Sequence, residues 1–586
     1  MSIKGGDFII KKTESSAVFV PEEWNEEEKM LKQMIHDFLD KELHVLESEP
    51  EASKDLPQIV EMLDKAAELG LCGIAIEEKY GGSDLSFNAG LLYMEAFAYG
   101  FSFATTIGTH VSIGSLPIVY YGNEQQKEKY LPRIATAEIK TAYALTEPSA
   151  GSDANSGKTK ATIDSKNNCY LINGQKMWIT NSGFAEIFIV FAKIEDDEKL
   201  SAFIIEKSFG GITLGEEEKK LGIKGSSTRQ VYFENCPVPM ENLLGKRNDG
   251  FKIALNILNS GRIKLSAATI GGSKFALSKA IQYSIEREQF GKSIGEFTAM
   301  QYKIGEMARK IFSAESAVYR TGRNIDLKEK ELKENKIPEN EIKLKGLREY
   351  AIECSLMKVY ASEVLDYCVD ESLQIHGGMG YSVETKVEMG YRDARITRIY
   401  EGTNEINRML SFGELMKRGF HTKEIDLKSF TQKIPFQIFK SALGIQEKSS
   451  SQYLENFKYL FFTLTKYATD AYGRALEHEQ EIIMDLADIL AEIYVLESTY
   501  LRVEKLKTKE SKDAAFKMKQ NICDLQFYEA NSKIIQRATS IFDSLPKRHP
   551  FLKRVIKSLA IKEKLNPMVL RREIAKYLIA SKEYSL

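Results

Sequence analysis

The sequence predicts an α+β protein whose helices and strands are segregated, because the residue pattern changes texture along the chain. Helical spacing comes first, with Leu31, Ile35, Phe38 and Leu39 on one apolar face. Short β-rich runs separated by turn residues occupy roughly Lys158 to Met240. From Gly250 helical spacing returns, with Phe251, Ala254, Leu255 and Leu258 at i, i+3, i+4 and i+7, and it persists to the end of the chain.

The elements follow in order. Residues 1–25 read as an N-terminal arm, whose opening Met1–Thr13 is polar and lacks the apolar stretch of a secretory signal. Residues 26–142 read as a helical domain, broken at Gly81-Gly82-Ser83 and restarting at Asn123-Glu124-Gln125-Gln126. Residues 143–249 read as a β domain. In it Cys169-Tyr170-Leu171-Ile172 leads into Asn173-Gly174, a hairpin-turn pair, then Lys176-Met177-Trp178-Ile179. Ile187–Phe191 and Ala202–Ile205 supply further strands for a small sheet or barrel. Residues 250–418 are helical, interrupted by charged Asp326–Lys345, which contains Pro338 and reads as a solvent-facing connection. Residues 419–586 are helical with a break at Lys448-Ser449-Ser450-Ser451. There Ile482, Leu486, Ile489, Ile493, Leu496 and Tyr500 form a packing seam.

Composition narrows the function. At 586 residues the chain exceeds one core, and 43% hydrophobic with 28% charged residues gives ample interior beside a solvated surface. Lys plus Arg (81) nearly balance Asp plus Glu (83), which argues against nucleic acid as a partner. Six scattered cysteines have no metal-ligand spacing, so reduced thiols, no metal and a cytoplasmic location are expected. No apolar run approaches membrane-spanning length.

Five segments carry candidate chemistry. Tyr143–Asp153 is a small-residue and hydroxyl-rich loop able to present donors to a flat heterocycle or phosphate, or an ordinary Pro/Gly/Ser turn. Met177–Asn181 brings Trp178, a core aromatic or the wall of a ring cofactor. Glu286–Lys292 reads as a helix end with Gly291 as its stop, or as an arginine reaching a pyrophosphate. Gln374–Tyr381 holds three glycines in four residues, permitting close backbone approach, with His376 a hydrogen-bonded loop residue. Arg398–Ile406 places Glu401 before Gly402-Thr403, either an exposed helix-flanking acid or a carboxylate at the lip of a pocket.

In this order and spacing the five segments resemble the acyl-CoA dehydrogenase family, from about Glu26 to Gly413. The likeness is to the very-long-chain subgroup, whose members carry a helical C-terminal extension. The resemblance implies an N-terminal helical domain, a central β-barrel-like domain, a four-helix bundle domain and a C-terminal helical domain. It implies FAD as cofactor, acyl-CoA as substrate, an electron-transfer flavoprotein as acceptor and at least a homodimer. By that resemblance Tyr143, Leu145, Thr146, Gly151 and Ser152 match flavin-lining positions, Ser152 lying also near the CoA end of the substrate. Trp178 and Thr180 match residues flanking the isoalloxazine. Arg287, Gln289 and Phe290, and likewise Gln374, Gly377 and Gly378, match contacts made across a subunit interface. Thr403 and Glu405 match further FAD contacts, the latter position often being Gln, which can donate where an ionised carboxylate only accepts. Asn259 and Arg262 match a CoA-contacting helix turn, with Asn259 standing where several members have Asp. Tyr400 and Glu401 match the aromatic lid and the catalytic base.

A minority of the family carries the base just before the arginine equivalent to Arg262. Here that position is Gly261, which leaves Glu401 as the candidate and implies room deep in the acyl tunnel. An oxygen-using acyl-CoA oxidase and a non-catalytic scaffold of the same fold are the alternatives. Lys547–Leu586 holds eleven Lys/Arg against three Asp/Glu, interleaved with Phe551, Leu552, Val555, Ile556, Leu559 and Ile561. It reads as a packed amphipathic face, with peripheral attachment to an anionic membrane as the minority reading.

Overall fold

A computed structural model describes residues 4–442, 449–510, 513–547, 549–561 and 565–586. The N-terminal helices include α1 (Glu26–Lys41), α2 (Ala52–Glu68), α3 (Phe87–Phe97), α4 (Ser102–Thr109) and α5 (Glu124–Ala135). Helix α1 begins where Asn25 Oδ1 accepts from Glu28 N and the Glu28 carboxylate accepts from Asn25 N, both at 2.9 Å. The same reciprocal cap forms between Asn123 and Gln126, at the helix start the sequence marks.

The strands are β1 (Thr141–Ala144), β2 (Lys160–Asp164), β3 (Cys169–Thr180), β4 (Ile187–Ile194), β5 (Leu200–Glu206), β6 (Ile212–Glu217), β7 (Thr228–Pro239) and β8 (Leu243–Leu244). They form one eight-stranded mixed sheet in the order β6-β7-β3-β2-β4-β5-β8, with β1 parallel to β4. Strand β4 is buried on both faces. Ile187, Ile189 and Phe191 pack toward the helices, and Phe188, Val190 and Ala192 pack into the sheet's own core. This accounts for its unbroken apolar run.

Next come α6 (Gly250–Glu286), the small hairpin β9 (Glu288–Gln289) and β10 (Lys292–Ser293), α7 (Thr298–Glu334), α8 (Glu339–Glu349), α9 (Ala351–His376) and α10 (Asn404–Met416). Helices α6, α7, α9 and α10 form the bundle, with α9 packed against the other three. The C-terminal helices are α11 (Leu427–Ala442), α12 (Ser450–Tyr472), α13 (Gln480–Glu510), α14 (Ala514–Ser544), α15 (Pro550–Leu559) and α16 (Pro567–Ser581). The predicted seam is buried from Ile482 to Leu496 on α13, which packs on α14 and α7.

Three sequence expectations are corrected. Asn173-Gly174 is no hairpin turn: β3 runs through it, and Gly174, at φ +154°, sits at a bulge where a Cβ would lie 2.5 Å from Thr159 Oγ1. The turn falls at residues 165–168, where Asp164 Oδ1 accepts from Lys166 N and Asn167 N and so supplies the turn chemistry. The stretch Asp326–Lys345 is mostly helix, broken only at Asn335–Pro338. Asp326 accepts from Phe87 N at 2.7 Å and Asn88 N at 3.2 Å, capping α3 from across the interface. Gly291 does not stop α6, which ends at Glu286; with φ +78° it turns the β9–β10 hairpin. The N-terminal arm packs onto the protein, with Phe8, Ile9, Val18 and Val20 buried. Of the break at Lys448–Ser451, Lys448 lies outside the described residues, Ser449 caps α12 and Ser450 and Ser451 begin that helix.

The basic C-terminal segment uses its apolar stripe for packing. Leu552, Val555, Ile556 and Leu559 are buried and Phe551 is exposed. Among the described residues no helix is long and apolar enough to cross a membrane.

Buried ion pairs join the arm, the bundle and the C-terminal helices. Arg502 on α13 pairs with Glu315 of α7 at 2.6 Å and with Glu22 of the arm at 2.9 Å, and Lys519 of α14 also meets Glu22 at 2.9 Å. Glu497 receives Arg320 at 2.8 Å and Lys458 at 2.9 Å. Burial alone would raise the Glu22 pKa, yet Arg502 and Lys519 hold it down to about 2. Replacing Arg502 by Met removes one cation from each of two carboxylates, leaving Glu22 with Lys519 and Glu315 with Lys274. The expected cost is about 3–5 kcal/mol, read by urea unfolding of the full chain.

Candidate active site

The site is built where the α9–α10 connection crosses α6. Glu401 takes a left-handed backbone, φ +58°, and is followed by Gly402 at φ +81°, so the chain reverses sharply before α10. Thr403 caps α10 by accepting from Ile406 N at 3.3 Å. Three polar side chains hold this turn. Arg262 Nε donates to Glu401 O at 3.2 Å. Asn407 Nδ2 donates to Gly402 O at 2.8 Å and Thr403 O at 3.0 Å. Lys358 Nζ, from α9, donates to Gly402 O and to Asn404 Oδ1, both at 2.8 Å.

So held, the Glu401 side chain enters the bundle. Its Oε2 is buried without a hydrogen-bond partner. It lies against Gly261, where an added Cβ would stand 2.5 Å from that oxygen. The room expected from Gly261 is therefore filled by the carboxylate itself. Burial pushes the Glu401 carboxyl up to about 7, opposed by the positive charges of Arg262 and Lys358. Burial in turn draws Lys358 down to about 7, against the pull of Glu401. A carboxylate poised near neutrality, desolvated and uncommitted, suits proton abstraction.

A cavity of about 290 Å³ opens beside it, lined by Tyr400, Glu401 and Gly261 at one end and running between α4, α6 and α9. The Tyr143 ring, edge-on to Phe191 at 5.2 Å, has a buried hydroxyl with no partner. Burial, and next Glu401, raises that hydroxyl's pKa well above the ordinary tyrosine value. Asn259 and Arg262 are both buried and bonded to each other, Arg262 Nη1 to Asn259 Oδ1 at 2.7 Å. The expected CoA-contacting pair is thus turned inward, with the arginine on the Glu401 carbonyl.

A second group lies on the β domain. Thr146 O accepts from Met177 N at 2.9 Å, which sets the Tyr143–Asp153 loop beside the Trp178 strand. Leu145 is buried, Thr146 and Thr180 are half-buried, and Gly151 and Ser152 are exposed. Trp178 has φ +61° and is 53% exposed, a large ring held in an uncommon backbone and left uncovered. Beneath this loop lies an ion pair that the sequence reading missed. Lys176 Nζ meets Glu147 Oε1 at 2.7 Å and donates to Phe191 O at 2.7 Å and Leu145 O at 3.2 Å. Glu147 also accepts from Lys158 N and Thr159 N. The uncovered indole, the unpartnered Tyr143 hydroxyl and a loop pinned from below fit a flat heterocycle such as a flavin.

A third group stands apart. Arg287, Gln289 and Phe290 (93% exposed) lie on the β9–β10 hairpin. Exposed Gln374, Gly377 and Gly378 close α9, and the stacking of Tyr283 on His376 at 4.2 Å brings the two segments together. Gln374 lies about 24 Å along α9 from Lys358 at 1.5 Å per residue, remote from the Glu401 turn within one chain. Glu405, exposed on the first turn of α10, has its pKa lowered by a backbone N–H there and by Thr403.

Lys358, Asn404 and Asn407 were also missed. Their signal was faint: polar residues on the bundle-facing sides of α9 and α10, where apolar ones belong.

Fold and site define an FAD-dependent oxidoreductase. The chain belongs to the acyl-CoA dehydrogenase family: N-terminal, middle and C-terminal domains of that description match residues 25–138, 142–236 and 248–412, and a further acyl-CoA dehydrogenase C-terminal domain matches 456–547. A "Probable acyl-CoA dehydrogenase" of Bacillus subtilis (strain 168) is 42% identical, over 86% of this chain and 85% of that relative. The "Very long-chain specific acyl-CoA dehydrogenase, mitochondrial" of Bos taurus is 34% identical, over 81% of this chain and 74% of the relative. Among solved structures, an acyl-CoA dehydrogenase from Bacillus anthracis complexed with FAD has a TM-score of 0.95 and 40% identity, covering 100% of both chains.

Replacing Lys358 by Met removes a cation that helps Glu401 ionise. Activity needing the carboxylate rises with pH through its pKa, so the acid limb of kcat/KM should move to higher pH. At pH 6 activity should fall roughly threefold more than at pH 9, the effect of about half a pKa unit. Parallel pH profiles would show that Lys358 acts only by packing.

Proposed function

We propose that the protein dehydrogenates long-chain acyl-CoA thioesters to trans-2-enoyl-CoA, with Glu401 as the base that takes the α-proton. The observation that carries this is the Glu401 carboxylate: buried, unpartnered, raised to about 7 and facing a long cavity. Residue Tyr400 closes over the thioester, and the Glu401 backbone N–H donates to its carbonyl, stabilising charge that develops as the α-proton leaves. The fatty chain enters between α4, α6 and α9, where small residues such as Ala104, Gly108, Ala268 and Gly272 leave room. Substrate entry expels water, which makes the carboxylate a stronger base when the proton is to be moved. When bound, FAD supplies the two-electron oxidant that receives the β-hydrogen with its electron pair.

The β-domain group is the flavin wall in this reading: Tyr143, Leu145, Thr146, Gly151, Ser152, Trp178 and Thr180, with Thr403 and Glu405 at the start of α10. The remote group of Arg287, Gln289, Phe290, Gln374, Gly377 and Gly378 serves the cofactor of a second copy, which makes the working unit at least a dimer. The electron acceptor in this reading is an electron-transfer flavoprotein.

The test is Glu401→Gln, which keeps the shape and removes the base. The purified variant should remain yellow and bind long-chain acyl-CoA, with kcat reduced by roughly four orders of magnitude in an artificial-acceptor assay. Turnover within tenfold of the parent protein would refute the assignment.

A further inference from the structure

The cavity does not end where an acyl chain needs only hydrocarbon. Its α6 wall steps along one helical face through Gly261, Leu265, Ala268, Gly272 and Ala276 to Lys279. From Gly261 to Lys279 is about 27 Å at 1.5 Å per residue. Along Leu265, Ala268 and Gly272 the lining is small or apolar, although Lys264, Thr109, Ser112 and Thr269 also belong to it, and at the Lys279 end it turns polar. There Lys279 is exposed and Lys386 half-buried, and neither forms an ion pair among the described residues. Lys279 instead lies over the Phe275 ring at 5.3 Å. Behind them His376 lines the cavity, its Nδ1 engaged with Ser372 O at 2.7 Å.

Ser372 adds an unpartnered hydroxyl to this end. It lines the same end, is 1% exposed, and its Oγ has no hydrogen-bond partner. An orphan hydroxyl in a buried wall costs free energy unless a ligand satisfies it. Besides Glu401, two acids share the lining. Glu47 is exposed at the rim, and Asp393 is half-buried with one oxygen accepting from Ile223 N. The lysines outnumber the one exposed acid.

Resting on the dehydrogenase reading above, we propose that the cavity takes long acyl-CoA chains whose terminal carbon carries a carboxylate, received by Lys279 and Lys386 with Ser372 as a hydroxyl donor. The length sets the class. Subtracting a lysine's reach of about 6 Å leaves about 21 Å, and a staggered chain advances about 1.3 Å per carbon. The fit is therefore to α,ω-dicarboxylic chains of roughly sixteen carbons. A shorter diacid would leave its charge among Leu265, Ala268, Thr269 and Gly272, short of both lysines, which is costly.

The test uses the full-length holoprotein with an artificial electron acceptor. Specificity is read as the ratio of kcat/KM for the monothioester of a diacid to that for the simple acyl-CoA of equal length, from ten to eighteen carbons. The ratio should climb at least tenfold between ten and sixteen carbons. In the double variant Lys279→Glu, Lys386→Glu the sixteen-carbon ratio should fall at least tenfold. A ratio flat with length, or unchanged in the variant, would overturn the proposal and leave the dehydrogenase reading intact. Oxidation of neither thioester series would sink both. If the variant does not fold, the length series on the parent protein decides alone.

Discussion

The site depends on how one reversal of the chain is gripped. The Glu401–Gly402 turn has no secondary structure of its own and contains a left-handed glutamate, a conformation costing on the order of 1–3 kcal/mol. It persists because α6, α9 and α10 each send a polar side chain to its carbonyls: Arg262, Lys358 and Asn407. All three are buried, so each bond forms where water does not compete. The same cations set the charge state of the carboxylate they position. Geometry and acidity of Glu401 are consequently one design.

The β domain repeats this economy at its own edge. Loop Tyr143–Asp153 carries small, exposed residues that could not order themselves, and the buried Glu147–Lys176 pair fixes it from inside the sheet. Lys176 meets three oxygens, so its burial leaves no donor idle, while burial draws its pKa to about 8. Rigid support beneath and an open surface above is what a planar ligand requires.

Much of this was legible beforehand. Element order followed from hydrophobic periodicity, because a 3.6-residue stripe and a two-residue alternation bury different residues. Helix starts at Asn25 and Asn123 follow from local chemistry, since a cap involves residues three apart. What escaped was non-local. Asp326 looked like part of a charged connection because its partners, Phe87 N and Asn88 N, lie far away in sequence. Asn173-Gly174 misled because positive-φ residues serve bulges as well as turns, and the neighbouring Asp164 made the turn instead. Single residues of the site, above all Glu401, were placed by resemblance; Lys358 and Asn407 needed three dimensions, because what distinguishes them is the carbonyl each one meets.

Gly261 and Glu401 occupy one space between them. A side chain on α6 at that position and a carboxylate arriving from the α9–α10 connection exclude each other sterically. The two places from which a base can reach this cavity are therefore alternatives. A lineage moving its acid from one to the other must pass through a protein with two colliding groups or with none, so the location of the base should be slow to drift even where surrounding residues change freely.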